Sequence, residues 1–312
     1  MGYHIRIETN KIASFQTTRT RNSELWLVNR KKLEDAILGY AARYTTRHEV
    51  DLYALALEGN HTHNAAIFPK ANRAHFMRDF NSSVARAVNR YQEDYPGGKL
   101  WHRRYSSELL PTPEDIENWF FYIVLQPVQD GLVADIKDYP GYNCFEDAVT
   151  GTSRTYQVVN WKAYNDARRW RKHVSIDDFT DSYSLKFKRL PGYEHLSQEA
   201  YATMMRSKLR ERTEKILEER GPKPFMGVRA MSLTKPGARP NKTKVSGPND
   251  HRPRVLSLKA TKKREVLSWY FDTQHDYKSA SKRYRGGDLD VNFPPGTYKP
   301  PLFTVAYCGS FT

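Results

Sequence analysis

Two histidines separated by one residue, in His61-Thr62-His63, are the side chains in this sequence best spaced to share one cation. On a strand, alternate side chains point to opposite faces, so both imidazoles would lie together while Thr62 turns away. A polar hairpin edge accounts for the same pair without any chemistry. Further along, Tyr122 and Gln126 stand four residues apart, the spacing that makes neighbours on one helix face. A phenol and an amide oxygen held side by side can serve as nucleophile and metal ligand. Inside Trp119-Phe120-Phe121-Tyr122-Ile123, however, a lone tyrosine is more often a core aromatic.

Composition narrows the partners. The 312 residues carry 50 Lys plus Arg against 35 Asp plus Glu, a formal net charge of +15, which favours polyanions and nucleic acid first. No apolar run approaches the roughly 18 residues of a membrane span, and no basic helix flanks a lipid-facing stripe. The start, Met1-Gly2-Tyr3-His4-Ile5-Arg6, has neither a signal-peptide core nor a myristoylation pattern, so a cytoplasmic location is expected. The two cysteines, Cys144 and Cys308, are too few for a disulfide framework or thiolate cluster. Any metal would be held by His, carboxylate or amide groups.

The elements that must position these residues follow from periodicity. A β-rich stretch at 12–20 leads to Leu25-Trp26-Leu27-Val28, and Leu33, Ile37, Tyr40 and Tyr44 recur at helical spacing over 29–44. Val50–Leu57 and His61–Phe68 form two strand-like runs joined by Gly59-Asn60, a hairpin that Pro69 ends. Phe76, Phe80, Val84 and Val88 predict a long amphipathic helix over 72–95, stopped by Pro96-Gly97-Gly98. Leu100–Tyr105 reads as a further strand. Thr112-Pro113-Glu114-Asp115 then supplies an N-cap, a proline and two first-turn acids for a helix carrying Trp119 to Gln126, with Pro127 as a kink or stop. The order strand, helix, strand, strand, helix, strand predicts an α+β, ferredoxin-like sandwich, an antiparallel sheet with helices on one face.

The rest of the chain predicts a basic C-terminal extension. Residues 146–220 read as basic helices, with 161–173 and 198–220 the clearest; 221–254 reads as a flexible basic linker; 255–312 reads as a small C-terminal element with a short helix. Cations for DNA are expected at Arg73, Arg78, Arg86 and Arg90 on the long helix. A second set, Arg168, Arg169, Arg171 and Lys172, interleaves with Trp161, Tyr164 and Trp170. Core aromatics with merely solvated charges fit the same pattern.

Taken in order, Asn60-His61-Thr62-His63, Leu100-Trp101-His102-Arg103-Arg104-Tyr105 and Tyr122-Ile123-Val124-Leu125-Gln126-Pro127-Val128, followed by Gly131-Leu132-Val133, resemble the landmarks of HUH single-tyrosine transposases. The likeness is greatest to the REP-associated tyrosine transposases. It spans about 10–145, the expected catalytic domain. Thr62 stands where the family usually has a bulky apolar residue, and Gln126 where the REP-associated group commonly has Asn.

The resemblance implies a metal-dependent endonuclease and strand transferase acting on single-stranded, hairpin-forming DNA. Tyr122 would be the nucleophile, giving a 5′-phosphotyrosine and a free 3′-OH. His61, His63 and Gln126 would hold Mg²⁺ or Mn²⁺, with zinc not excluded. Trp101, Arg103 and Arg104 match a DNA-facing patch, and the protein would be a monomer or homodimer. The rival readings are a relaxase or replication initiator using the same chemistry, and a domesticated hairpin-binding regulator in which His and Tyr only pack.

Overall fold

A computed structural model describes residues 5–240 and 254–302. Cys308, the first four residues and positions 241–253 of the expected linker lie outside the described residues. Seven elements build the first half: β1 (Ala13–Arg19), α1 (Lys31–His48), β2 (Asp51–Glu58), β3 (His61–Ile67), α2 (Arg73–Tyr91), β4 (Ser106–Leu110) and α3 (Pro113–Val124). The sheet is antiparallel in the spatial order β2-β3-β1-β4, the α+β, ferredoxin-like arrangement that the element order predicts.

Alternation along the strands decides which helix covers which face. Thr18 and Asn64 point toward α2, where they meet Asn81 at 3.1 Å and the Met77 sulfur at 3.7 Å. There α2 lies beside α1, joined by Tyr44 to Ser83 and His48 to Asp79, each at 2.9 Å. Phe76, Phe80, Val84 and Val88 are buried, as their spacing requires. Phe15 and His63 point the other way, toward α3. The sheet is therefore covered on both faces: α1 and α2 share one, and α3 adds a layer on the other.

Two boundaries differ from the sequence reading. Leu100–Tyr105 is not a regular strand: Trp101 makes a single bridge to Thr20, with His102 N–H donating to the Arg19 carbonyl at 2.9 Å, and His102, Arg103 and Arg104 are exposed. The ladder with β1 falls instead on Ser106–Leu110, whose buried Leu109 and Leu110 supply the apolar contact. The tyrosine helix also ends early, at Leu125 (φ −91, ψ 2), and a four-residue turn, α4 (Gln126–Gln129), follows on a new axis. Pro127 lacks an N–H, and its ring collides with the carbonyl four residues back, so the break comes just ahead of it.

Downstream lie α5 (Phe145–Thr150), β5 (Arg154–Val159), α6 (Trp161–Trp170), β6 (Thr180–Leu185), α7 (Gln198–Arg220), α8 (Val228–Ser232) and α9 (Ala260–Arg285). The β5/β6 pair does not stand out in the sequence, because both strands are mostly polar and half exposed. The C-terminal helix, expected to be short, runs 26 residues. Residues 222–240 run along the sheet domain: Met226 and Gly227 N–H donate to Gly131 and Leu132 at 3.0 and 2.9 Å, and Leu25 N–H donates to Ala238 at 2.8 Å. Val255 lies parallel to Leu109 and covers the outer edge of β4, with Leu109 N–H donating to Arg254 and Leu256 N–H to Leu109. An unpaired edge is thereby closed.

The β5/β6 pair packs on α1 at Gly39, where a Cβ would come within 2.8 Å of Val158 Cγ2 and 3.3 Å of Tyr156 Cβ. Glycine in a helix interior normally lowers stability by about 1 kcal/mol relative to alanine. At position 39 the sign should reverse: Gly39→Ala is expected to lose roughly 1–3 kcal/mol through overpacking, read as a lower urea midpoint at unchanged slope.

Candidate functional site

Hairpin β2/β3 sets the two imidazoles. Directly opposed residues share a face, so His63 sits between Thr17 and Ala56, and His61 between Arg19 and Glu58. The two rings are 4.5 Å apart between centroids, and both are buried. The turn holding them is packed from above: a Cβ on Gly59 would lie 2.7 Å from Leu25 Cδ2 and 2.8 Å from Val28 Cγ1. Thr62 turns to the opposite face and is fully buried.

Each imidazole has a partner at Nδ1. Thr17 Oγ lies 2.9 Å from His63 Nδ1. His61 Nδ1 is 2.6 Å from Asn60 Oδ1, and the Asn60 amide NH₂ donates to the Ser23 carbonyl at 2.9 Å. Because that donation orients the amide, Oδ1 accepts, His61 carries its proton on Nδ1, and Nε2 holds the lone pair a metal requires. Burial, then His63 and Arg19, hold the His61 pKa well below the ordinary imidazole value. The ring is thus the neutral form that binds metals.

On the same face, α3 brings the phenol. Thr112 and Asp115 close a capping box, and Pro113 opens the first turn, so the helix starts where the sequence places it. Tyr122 lies with its ring centroid 6.0 Å from His63, 5.9 Å from Phe15 and 4.5 Å from Trp119, while Phe15 stacks on His63 at 5.0 Å. Gln126 is buried just beyond the break, and its Oε1 has no hydrogen-bond partner. Between Tyr122 and Gln126 the helix is irregular at Leu125, and the amide is carried by α4. Among the described residues no three His, Cys, Asp or Glu side chains form a ready group for a metal. A cation site here depends on two imidazoles and an amide. That donor set fits a divalent cation, and the orphaned buried amide oxygen is the observation that favours one.

The tyrosine helix is held from outside by distant segments. Glu117 accepts from Lys208 on α7 at 2.7 Å and from the Tyr193 hydroxyl, and Arg212 reaches Asn118 at 3.1 Å while lying 4.5 Å over the Phe121 ring. At its start Asp115 Oδ1 accepts from Leu258 N–H at 2.7 Å, and at its end Asn143 donates to the Val124 carbonyl at 2.8 Å. None of these partners is marked by local spacing, so the sequence reading does not contain them.

Glu58 is a further missed residue. It opposes His61 in register and is buried. Tyr139, whose hydroxyl donates to the Leu57 carbonyl at 3.0 Å, lies 3.3 Å from Glu58 Oε2, and Oε1 has no partner. Burial, reinforced by the charge of Asp130, pushes the carboxyl up to about 8, against a smaller lowering by Tyr139. The legible signal was an acid ending one hairpin strand directly across the turn from a metal-type histidine.

The DNA-facing candidates separate into groups. Arg73 is 3% exposed; its guanidinium donates to the Ile7 carbonyl at 2.9 Å and pairs with Glu8 at 3.3 Å. It is an interior group, and its assignment to DNA is corrected: the N-terminal segment packs over it. Trp101 is half-buried with its indole N–H donating to the Asn81 carbonyl at 2.9 Å, whereas Arg103 and Arg104 are exposed. Arg78 pairs with Asp79, and Arg90 lies 3.7 Å over the Trp161 ring. Arg168, Arg169 and Arg171 are exposed around an open concavity at the end of α6.

Neither the protein-family models nor the curated proteins contain a match to this chain. Among solved structures, that of a REP-associated tyrosine transposase bound to a REP hairpin is similar at 18% identity, with a TM-score of 0.40, over 47% of this chain and 85% of that one. No helix among the described residues is long and apolar enough to cross a membrane.

A carboxyl whose pKa is raised on folding binds more protons folded than unfolded. The stability it provides is present below its unfolded pKa and is lost as pH rises toward its folded one. For Glu58 that window runs from about 4.5 to about 8. Chelator-treated protein is expected to lose stability between pH 5 and pH 8 by at most about 3.5 kcal/mol, and Glu58→Gln should remove that slope in urea titrations at the two pH values.

Proposed function

We propose that this protein is a metal-dependent single-stranded DNA endonuclease and strand transferase in which Tyr122 is the nucleophile. The observation that carries the reading is a tyrosine ring 6.0 Å from His63, with the His61 ring 4.5 Å further on across the same strand face; just past the end of the tyrosine helix, Gln126 adds a buried amide oxygen without a partner. His61, His63 and Gln126 would hold Mg²⁺ or Mn²⁺. That cation supplies Lewis-acid polarisation of the scissile phosphate.

The chain's own groups account for the rest. The Tyr122 hydroxyl loses its proton as its oxygen attacks phosphorus, a Tyr–O–P bond forms, the P–O3′ bond breaks, and the departing 3′-oxygen takes up a proton. The product is a 5′-phosphotyrosine with a free 3′-OH. Because the phosphodiester is exchanged rather than hydrolysed, a 3′-OH from another strand can reverse the step and join new ends without a nucleotide cofactor. The 6.0 Å between the Tyr122 and His63 rings of one chain favours a site assembled within a protomer. Thr17 and Asn60 orient the imidazoles, and Arg19, opposite His61 and exposed, offers a cation for a neighbouring phosphate. Arg103 and Arg104 add exposed charge for DNA, with Trp101 as their packed base.

Incubated with Mn²⁺ and a 5′- or 3′-labelled single-stranded hairpin, wild-type protein should form a covalent adduct on the 5′-phosphate side of the break. Tyr122→Phe should bind the hairpin with unchanged affinity and form none. An adduct in the phenylalanine variant would sink the assignment. The close packing of Tyr122 against Trp119 and Phe15 also favours a second reading, a hairpin-binding regulator in which the tyrosine only packs. Its signature on the same gel is binding with no adduct in wild type at any metal concentration. Thr17→Val, which removes the partner of His63, is expected to weaken Mn²⁺ binding roughly 10-fold in calorimetric titration.

A further inference from the structure

The end of α6 presents a surface that the cleavage chemistry does not use. Arg168, Arg169, Arg171 and Lys172 surround Trp170 within five consecutive residues, and together with Tyr164, His173, Val174 and Ser175 they line an open concavity. Trp170 is 88% exposed, the largest exposure among the big apolar side chains described. A tryptophan left in water forgoes one of the largest apolar burials a side chain can make, so such exposure is informative where an exposed leucine is not.

Local structure explains why Trp170 stays outside. It is the last residue of α6, and Arg171 leaves the helix in extended conformation (φ −125, ψ 135). No residue of α6 is buried. The helix is nonetheless not adrift: its first residue, Trp161, lies under the Arg90 guanidinium at 3.7 Å, and Tyr164 meets Phe179 with ring centroids 6.0 Å apart. One end is anchored to α2, and the other offers a π-face inside a ring of cations. The single carboxylate of α6, Asp166, pairs with Arg169 at 3.4 Å, which leaves most of the positive charge of the patch uncompensated on that helix.

We infer that this concavity is a single-strand platform in which Trp170 stacks on an unpaired nucleobase while Arg168, Arg171 and Lys172 contact the flanking phosphates. The ligand follows from the chemistry. Guanidinium and ammonium groups alone serve any polyanion, and an aromatic alone serves any apolar surface. Alternated at this spacing they match the base-and-phosphate repeat of a single strand, whose bases, unlike those of a duplex, expose their faces. Tyr164, beneath Arg168 at 5.6 Å, stiffens the guanidinium rather than serving as a second stacking surface. The inference rests on the nucleic-acid part of the proposed function and not on Tyr122 chemistry.

The test uses full-length Tyr122→Phe protein, so that binding is read without cleavage, with a labelled single-stranded oligonucleotide and a duplex of equal length followed by anisotropy. Trp170→Ala should weaken single-strand binding roughly 5- to 100-fold and leave duplex binding unchanged, with Trp170→Phe recovering most of the loss. Arg171→Ala should weaken single-strand binding and lower the slope of log K against log salt by about 0.7. Equal affinity of Trp170→Ala and its parent, or an equal loss on the duplex, would overturn the platform. Failure of otherwise wild-type protein to form an adduct, with Trp170-dependent binding intact, would remove the catalytic reading and leave this one standing. Trp170 is exposed, so the variants should keep the parent's melting temperature, and a shared melting curve certifies the comparison.

Discussion

The period-two alternation of β3 is the constraint on which the rest of the structure depends. The strand runs between β1 and β2, so each of its side chains is committed to one of two covered faces. His61 and His63 go to the α3 side, and Thr62 and Asn64 to the α2 side. A register slip of one residue would bury the imidazoles under α2 and bring Thr62 to Tyr122. The packed Gly59-Asn60 turn guards against that slip. Asn60 does so twice, accepting the His61 proton and donating to Ser23.

Once the histidines are placed, the position of Tyr122 depends on a helix that the sheet contacts on only one side. Its outer side is met by Lys208, Arg212 and Tyr193, its first turn by Leu258, and its last carbonyls by Asn143. Residues from well beyond the sheet domain thus determine how rigidly the phenol faces the imidazoles. Partly buried charged pairs of this kind contribute more to fixing a geometry than to net stability, because desolvation offsets much of their attraction.

The basic character of the chain also divides once the structure is considered. Arg73 neutralises Glu8 in the interior, and Arg154 and Arg206 pair with Asp147 and Glu146 at 2.6 Å each. The first is an interior tie, and the other two are surface pairs whose positive charge a carboxylate offsets. Exposed cations without such an interior tie stand at Arg103 and Arg104 beside the sheet, at the end of α6 and along α9. A net charge of +15 therefore names the class of partner but not the place where it binds.

The sequence alone determined the order of the first elements, the hairpin, the capped start of α3 and the sharing of one strand face by His61 and His63. These are local consequences of side-chain period, turn residues and caps. Its own spacing did not decide whether the strand face and the helix face meet, while the kink or stop it expected at Pro127 falls at Leu125, one residue before Gln126. Tertiary structure decided that meeting, along with the burial of Arg73, the opposition of Glu58 to His61 and the exposure of Trp170. Each depends on contacts between segments far apart in the chain. Nearest-neighbour spacing carries no record of them, because burial and desolvation are properties of the assembled surface and not of the run of residues.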